Sequence, residues 1–182
     1  MFGKYYARRT MLACGATLLA GGGVRKSAAA EAGPPLLVTR GPPVSPPAVS
    51  WTTADGTTQS LAAYAGQAVV LNFWATWCVP CVAEMPSLNA LAALVGPERI
   101  AVLALSSDRG GAKPVDRFYA ERGIRTLAIL LDPRGTAARA FESKGIPTTV
   151  ILDRDGQERA RVEGAVDWAQ PASVQRLREI VG

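Results

Sequence analysis

The 182-residue chain contains no histidine and only three cysteines. Two of them, Cys78 and Cys81, lie outside the extreme N-terminus; the third is Cys14. A tetrahedral zinc site needs four ligands, so a zinc reading fails for want of donors. The missing imidazole also removes a His-activated nucleophile and a Cys-plus-His copper site. No metal and no cofactor are therefore expected. Acidic residues are missing from residues 1–30, which hold Lys4, Arg8, Arg9, Arg25 and Lys26. The formal charge of +5 resides entirely there, because the rest of the chain carries 15 basic and 15 acidic residues. The basic balance thus gives no ground for a nucleic-acid partner. Internal repeats are absent as well.

The leader is patterned. Arg8-Arg9 precede an apolar stretch from Met11 to Val24, followed by Arg25-Lys26 and Ser27-Ala28-Ala29-Ala30. A basic start, a modest apolar stretch and an Ala-x-Ala site make residues 1–30 an export signal, with cleavage expected after Ala30 and next after Ala32. The paired arginines resemble a twin-arginine signal. An uncleaved membrane anchor is the alternative, although the 14 apolar residues fall short of the roughly 20 that a span requires. Only four residues separate Cys14 from Arg9, which leaves no apolar stretch ahead of it for a lipidation signal. Residues 31–48 carry Pro34, Pro35, Pro42, Pro43, Pro46 and Pro47 and read as a semi-rigid linker. Residues 49–182 are then the folded domain. Export places that domain in the periplasm or on the extracytoplasmic face of the membrane, where disulfides persist.

Within the domain, strand-like and helix-like patterns alternate. Ala68–Trp74 is uniformly apolar apart from Asn72 and reads as a central strand buried on both faces. Val79 to Val95 has helical spacing, stops at Gly96-Pro97 and should be kinked by Pro86. A strand over 100–105, a helix over 114–122, a strand over 127–131 and a helix over 136–143 follow. A strand over 148–152, an Asp155-Gly156 hairpin turn into a strand over 158–162 and an amphipathic helix over 171–181 close the chain. A strand over 48–52 and a short helical turn over 60–64 precede this series. The class is α/β, a mixed central sheet flanked by helices with an antiparallel last hairpin.

The chemistry sits at Trp77-Cys78-Val79-Pro80-Cys81, at the junction of that central strand and helix. A sulfur at a helix N-terminus meets unpaired N–H groups and the positive end of the helix dipole, which favour a thiolate. A second cysteine one turn on shares its face and can close a small disulfide ring. Pro80 suits the first turn, where no donor is missed. A purely structural disulfide across two residues would constrain the unfolded chain very little. Glu84 lies three residues past Cys81. It reads either as an ordinary exposed helix glutamate or as a carboxylate close enough to the inner sulfur to exchange protons. Pro147 before an apolar run marks, by composition alone, only the start of a strand.

Asn72-Phe73-Trp74-Ala75-Thr76-Trp77-Cys78-Val79-Pro80-Cys81, followed by Glu84-Met85-Pro86, resembles the TlpA/ResA group of periplasmic thioredoxin-like reductases. Gly145-Ile146-Pro147-Thr148-Thr149 and Asp153 fit the same pattern, and the similarity runs from about Val49 to the C-terminus. The resemblance implies a thioredoxin-like fold with the group's strand–helix insertion and a cis peptide at Pro147 facing Cys78 and Cys81. It also implies that Glu84 is the active-site carboxylate. The carboxylate that some relatives place after the next strand has only an approximate match in Ser106-Ser107-Asp108.

On this reading Cys78 is the exposed, low-pKa nucleophile and Cys81 the more buried resolving thiol. Trp77, Val79, Pro80, Ile146 and Pro147 bind the substrate, and Trp74 is core and hydrogen-bonded support. The expected partners are exported proteins bearing disulfides, as in cytochrome c or copper-oxidase maturation, and a transmembrane thiol-transfer reductant; the protein is expected to be a monomer. An oxidase or isomerase remains the alternative direction. A thiol peroxidase needs a T-x-x-C motif, and Thr76 stands only two positions before Cys78. A non-catalytic metallochaperone module is disfavoured by the intact C-x-x-C and the missing histidine.

Overall fold

The computed structural model describes residues 38–182; the expected export signal lies outside them. Strands are β1 (Val38–Val44), β2 (Ser50–Thr53), β3 (Thr58–Ser60), β4 (Ala68–Trp74), β5 (Ile100–Ser106), β6 (Leu130–Leu131), β7 (Thr148–Leu152) and β8 (Glu158–Glu163). Helices are α1 (Val79–Val95), α2 (Ala112–Arg122), α3 (Thr136–Ala140) and α4 (Pro171–Val181), with a short 3₁₀ turn at Leu61–Tyr64. The strands form one mixed sheet in the order β1-β8-β7-β4-β5-β6-β2-β3. β4 runs parallel to β5 and antiparallel to β7, while β5 runs parallel to β6.

Strand β4 shows why its sequence is apolar apart from Asn72: all seven residues are buried. Because successive side chains point to opposite faces, Ala68, Val70 and Trp74 enter a core layer with α1, α2 and α4. Val69, Leu71 and Phe73 enter a second layer with Trp51 and Phe141. Helix α1 supplies Cys81, Met85, Leu88, Leu91 and Val95 to the first layer, a stripe at helical spacing, and runs on through Pro86. Among the described residues, the one helical stretch apolar and long enough to cross a membrane is this α1 segment, extended to Glu98. Its apolar stripe is occupied by the sheet.

Four expectations need correction. The proline-rich stretch expected as a linker over 31–48 contains β1, which pairs antiparallel with β8 through Val38↔Arg161, Thr39↔Ala160 and Val44↔Glu158. Pro42 and Pro43 fall in the irregular part of that pairing. An edge strand tolerates residues without an N–H there, so composition concealed a strand. The strand expected over 127–131 shrinks to Leu130–Leu131, although Leu127 is still buried. α3 stops at Ala140 rather than Ser143, because Glu142 adopts a left-handed conformation (φ 54°). Strand β3, pairing with β2 through Trp51↔Gln59, was not anticipated.

If β1 belongs to the domain, a chain beginning at Ala32 should be more stable than one beginning at Val49. Three cross-strand pairs are lost, at roughly 0.2–1 kcal/mol each, so urea denaturation should show a difference of about 1–3 kcal/mol. Equal midpoints would return the segment to linker status.

Candidate active site

Strand β4 ends at Trp74, and its neighbours bring two distant loops to that end. Trp74 pairs with Ser106 of β5 and Phe73 with Thr148 of β7. The loop of residues 75–78 therefore emerges between the Ser106–Asp108 corner and the Ile146–Pro147 corner. The Ser107 N–H donates to the Trp74 carbonyl (2.9 Å), and the Cys78 N–H to the Ala75 carbonyl (3.2 Å). Trp74 itself is fully buried, stacked on Tyr119 (centroids 5.9 Å apart, 12° between planes) and packed on Phe118 (5.3 Å). Its indole N–H finds no hydrogen-bond partner among the described residues. The expectation of hydrogen-bonded support is thus corrected, since Trp74 supports the loop by packing.

Cys78 is the N-cap of α1, and its carbonyl accepts from the Val82 N–H (2.9 Å). Its sulfur is joined to Cys81 in a disulfide. The Cys81 N–H donates to Cys78 Sγ at 3.3 Å. In the reduced pair that donor and the helix N-terminus together stabilise a Cys78 thiolate. Pro80 occupies the first turn, as expected. Cys78 is 7% exposed and Cys81 fully buried. The order matches expectation, but Cys78 is recessed rather than exposed: Trp77 (67% exposed) and Val79 (80%) stand out around it as an apolar lip.

On the other side stands the 145–147 corner. The Ile146–Pro147 peptide is cis, and the Ile146 carbonyl oxygen lies 3.6 Å from Cys78 Sγ. A disulfide sulfur has no proton to give, so this contact becomes a hydrogen bond only when Cys78 is a thiol. The corner is held by the Thr148 hydroxyl, which donates to the Gly145 carbonyl (2.8 Å). The structure thus brings Trp77, Cys78, Val79, Pro80, Ile146 and Pro147 to one place.

Glu84 is placed differently. It is 3% exposed, on the buried stripe of α1, so the exposed-glutamate reading is corrected. Its Oε1 accepts from the Trp168 indole N–H (2.7 Å) and the Val166 N–H (3.1 Å), and its Oε2 from the Asn72 amide (3.2 Å). None of these three bonds goes to a sulfur. Burial pushes the carboxyl above its ordinary 4.5, and the three donors oppose that rise. Asn72 also donates to the Thr149 hydroxyl (2.9 Å) directly across the sheet. A cleft of about 360 Å³ lies beside Glu84, lined also by Ala83, Pro86, Ser87, Val166 and Asp167.

Two contributors were not anticipated. Trp168 comes from the loop before α4, without a periodic signal to mark it. Asp108, noted only as an approximate counterpart of a family carboxylate, ties the active loop down. It accepts from the Thr76 N–H (2.9 Å), the Thr76 hydroxyl (2.6 Å) and the Ser106 hydroxyl (2.7 Å). A polar Ser-Ser-Asp run ending a buried strand was its only signal.

Comparison with known proteins agrees with this geometry. Residues 41–176 match the Redoxin family. The chain belongs to the Redoxin family. It is similar to the thiol-disulfide oxidoreductase ResA of Geobacillus kaustophilus, with 32% identity over 63% of this chain and 65% of that one. It is also similar to the thioredoxin-like protein YneN of Bacillus subtilis, with 38% identity over 60% and 64% of the two chains. The match spans less than two thirds of the length of these curated relatives. The exposed lipoprotein thioredoxin Etrx1 of Streptococcus pneumoniae superposes with a TM-score of 0.61 at 26% identity, covering 73% of this chain and 99% of that one. StoA from Bacillus subtilis, at 21% identity and TM-score 0.59 over 73% and 99% of the two chains, shares the fold. The thioredoxin-like fold and the resemblance to the ResA group are thereby established for this Redoxin member.

The raised Glu84 pKa has a sign that can be tested. The folded state holds the proton more tightly than the unfolded chain, so this group's stability contribution is complete below pH 4.5 and is lost as pH rises through the folded pKa. Compared with the Glu84→Gln variant, the parent should be relatively more stable at pH 4 than at pH 8 in urea denaturation. A difference that does not change with pH would contradict the burial effect.

Proposed function

We propose that this Redoxin member is a thiol–disulfide oxidoreductase acting as a reductant of disulfides in exported proteins. The observation that carries the reading is the Cys78–Cys81 disulfide at the mouth of α1, with the Ile146 carbonyl 3.6 Å from the outer sulfur. In the reduced protein the Cys78 thiolate attacks a substrate disulfide, forming a mixed disulfide and releasing the first substrate thiolate. Cys81, as thiolate, then attacks Cys78 Sγ; the ring disulfide closes, and the second substrate thiolate leaves. Two electrons pass from the protein dithiol to the substrate, and two protons follow to the released thiolates.

The recessed Cys78 sulfur makes access selective, and the Trp77–Val79 lip beside it supplies apolar area for a substrate chain, with Pro80 and the Ile146–Pro147 corner completing the docking site. Cys81 is sealed from solvent, so its deprotonation needs an internal acceptor. Glu84, three residues on along the same helix stripe and bordering a surface cleft, fills that role on this reading through an intervening water. Its raised pKa suits a group that must take and return a proton.

The reading extends to the setting. The leader pattern supports a location in the periplasm or on the outer face of the membrane, and the thiol-disulfide oxidoreductase relatives support the chemistry; the role we assign there is maturation of cytochrome c or a copper oxidase. Recharging then comes from a transmembrane thiol-transfer partner. The thiol-peroxidase reading gains no support, because Thr76 stands only two positions before Cys78 and its hydroxyl is committed to Asp108.

The reduced protein should reduce insulin catalytically with a dithiol donor. Cys78→Ser should lower the rate to the uncatalysed level, whereas Cys81→Ser should accumulate a mixed disulfide that non-reducing electrophoresis and mass spectrometry detect. Normal turnover by the Cys81→Ser variant would overturn the two-thiol mechanism.

A further inference from the structure

Beside the disulfide lies a second feature that the exchange chemistry does not use. A cleft of about 460 Å³ opens at the ends of β5 and β6, lined by Trp77, Ser107, Arg109, Pro133, Arg134 and Gly135. It lies at the carboxyl ends of the parallel strands β4, β5 and β6, where α/β sheets commonly seat ligands. Trp77 is common to this cleft and to the lip around Cys78, so the two features adjoin.

The charge of the cleft has one sign at its surface. Arg109 and Arg134 are exposed, and neither guanidinium has an ion pair among the described residues. Arg117, Lys144, Arg159, Arg161, Arg176 and Arg178 each face a carboxylate; Arg109 and Arg134 differ from other cations without an ion pair among the described residues, such as Lys113 and Arg125, in lining one cleft together. The nearby Arg139 donates to the Arg134 carbonyl, adding a third cation at the same rim. Two carboxylates lie close by, and both are turned inward. Asp108 serves Thr76 and Ser106, and Asp132 accepts the N–H groups of Thr136 and Ala137 at the start of α3. They steady the loops that carry the arginines, and their oxygens are held by those donors rather than offered as partners to the rim guanidinia. In a domain that is neutral outside the leader, this local excess is a feature of the site itself.

We infer that the Arg109–Arg134 cleft is a specificity subsite for acidic residues flanking the reactive cysteine of the protein substrate. The inference rests on the oxidoreductase reading above. The occupant is a polypeptide of that substrate, because one molecule must place its sulfur at Cys78 and its carboxylates at the arginines, with Trp77 covering the segment between. Unpaired rim guanidinia act mainly on encounter and register, so the effect belongs to the rate of mixed-disulfide formation.

The test uses the full chain, reduced, in single-turnover mixing. The substrates are three peptides, each with one cysteine blocked as a mixed disulfide with 2-mercaptoethanol and flanked by paired Glu, Gln or Lys. The Glu peptide should react about three- to tenfold faster than the Lys peptide at low salt, the range expected for two exposed charge pairs, with Gln between. The ratio should approach one at about 0.5 M salt, where the Debye length falls to a few ångströms. The double variant Arg109→Gln with Arg134→Gln should bring the low-salt ratio within twofold of one, and Arg109→Glu with Arg134→Glu should invert it. A parent ratio near one, or a ratio kept by the double Gln variant, overturns the subsite. Hydroxyethyl disulfide, which is uncharged, separates the two claims. If it fails to oxidise Cys78 and Cys81, the oxidoreductase reading falls too; if it reacts and the peptide ratio is flat, the subsite alone falls.

Discussion

Strand β4 is paired on both sides along nearly its whole length, and the site depends on that double pairing. One neighbour, β5, delivers Ser106 and Asp108 beside Trp74; the other, β7, delivers the Ile146–Pro147 corner beside Phe73. Because side chains alternate across a sheet, a slip of one residue would turn every β4 side chain to the opposite face. Asn72 would then leave Glu84, and Trp74 would leave Tyr119. The buried apolar residues on both faces forbid that slip. Reactivity at Cys78 is in this sense a consequence of core packing below it.

A second constraint is electrostatic. Glu84 is a carboxyl inside an apolar layer, and water would solvate its charge better than the core does. Three donors from two separate segments, Asn72 of β4 and the Val166 and Trp168 groups ahead of α4, offset part of that cost. The result is a group whose charge is neither prohibited nor free, which suits the proton exchange proposed for it. Two of these bonds, from Val166 and Trp168, tie the segment before α4 to the central helix, and the third ties that helix to β4. Asp108 is used differently: its two oxygens accept from Thr76 and Ser106, so it holds the geometry of the active loop.

Local sequence made much of this visible. The all-apolar run 68–74, the helix over 79–95 and the strand over 148–152 appear with the expected ends, because periodicity and Gly or Pro boundaries are short-range signals. The cysteine pair and Pro147 were legible for the same reason, with the family resemblance bringing them together. What stayed hidden depends on partners distant in sequence. β1 is a strand only because β8 offers it an edge, and six prolines over 31–48 outweighed that in composition. Trp168, 84 residues beyond Glu84, has no local property that announces a carboxylate partner. Asp108 could be read only once β5 was known to lie beside β4. The arginine cleft, likewise, is assembled from three loops, and overall charge concealed it because acidic residues elsewhere balance the domain.

The reduction potential of the Cys78–Cys81 pair tests the central claim most directly. Equilibration against glutathione or dithiothreitol buffers, with the thiol state read by alkylation and mass spectrometry, gives it without a substrate. A protein that delivers electrons to exported disulfides should titrate near the thioredoxin end, about −270 mV. A value above about −180 mV would place the pair among the disulfide isomerases and oxidants and contradict the reductive role.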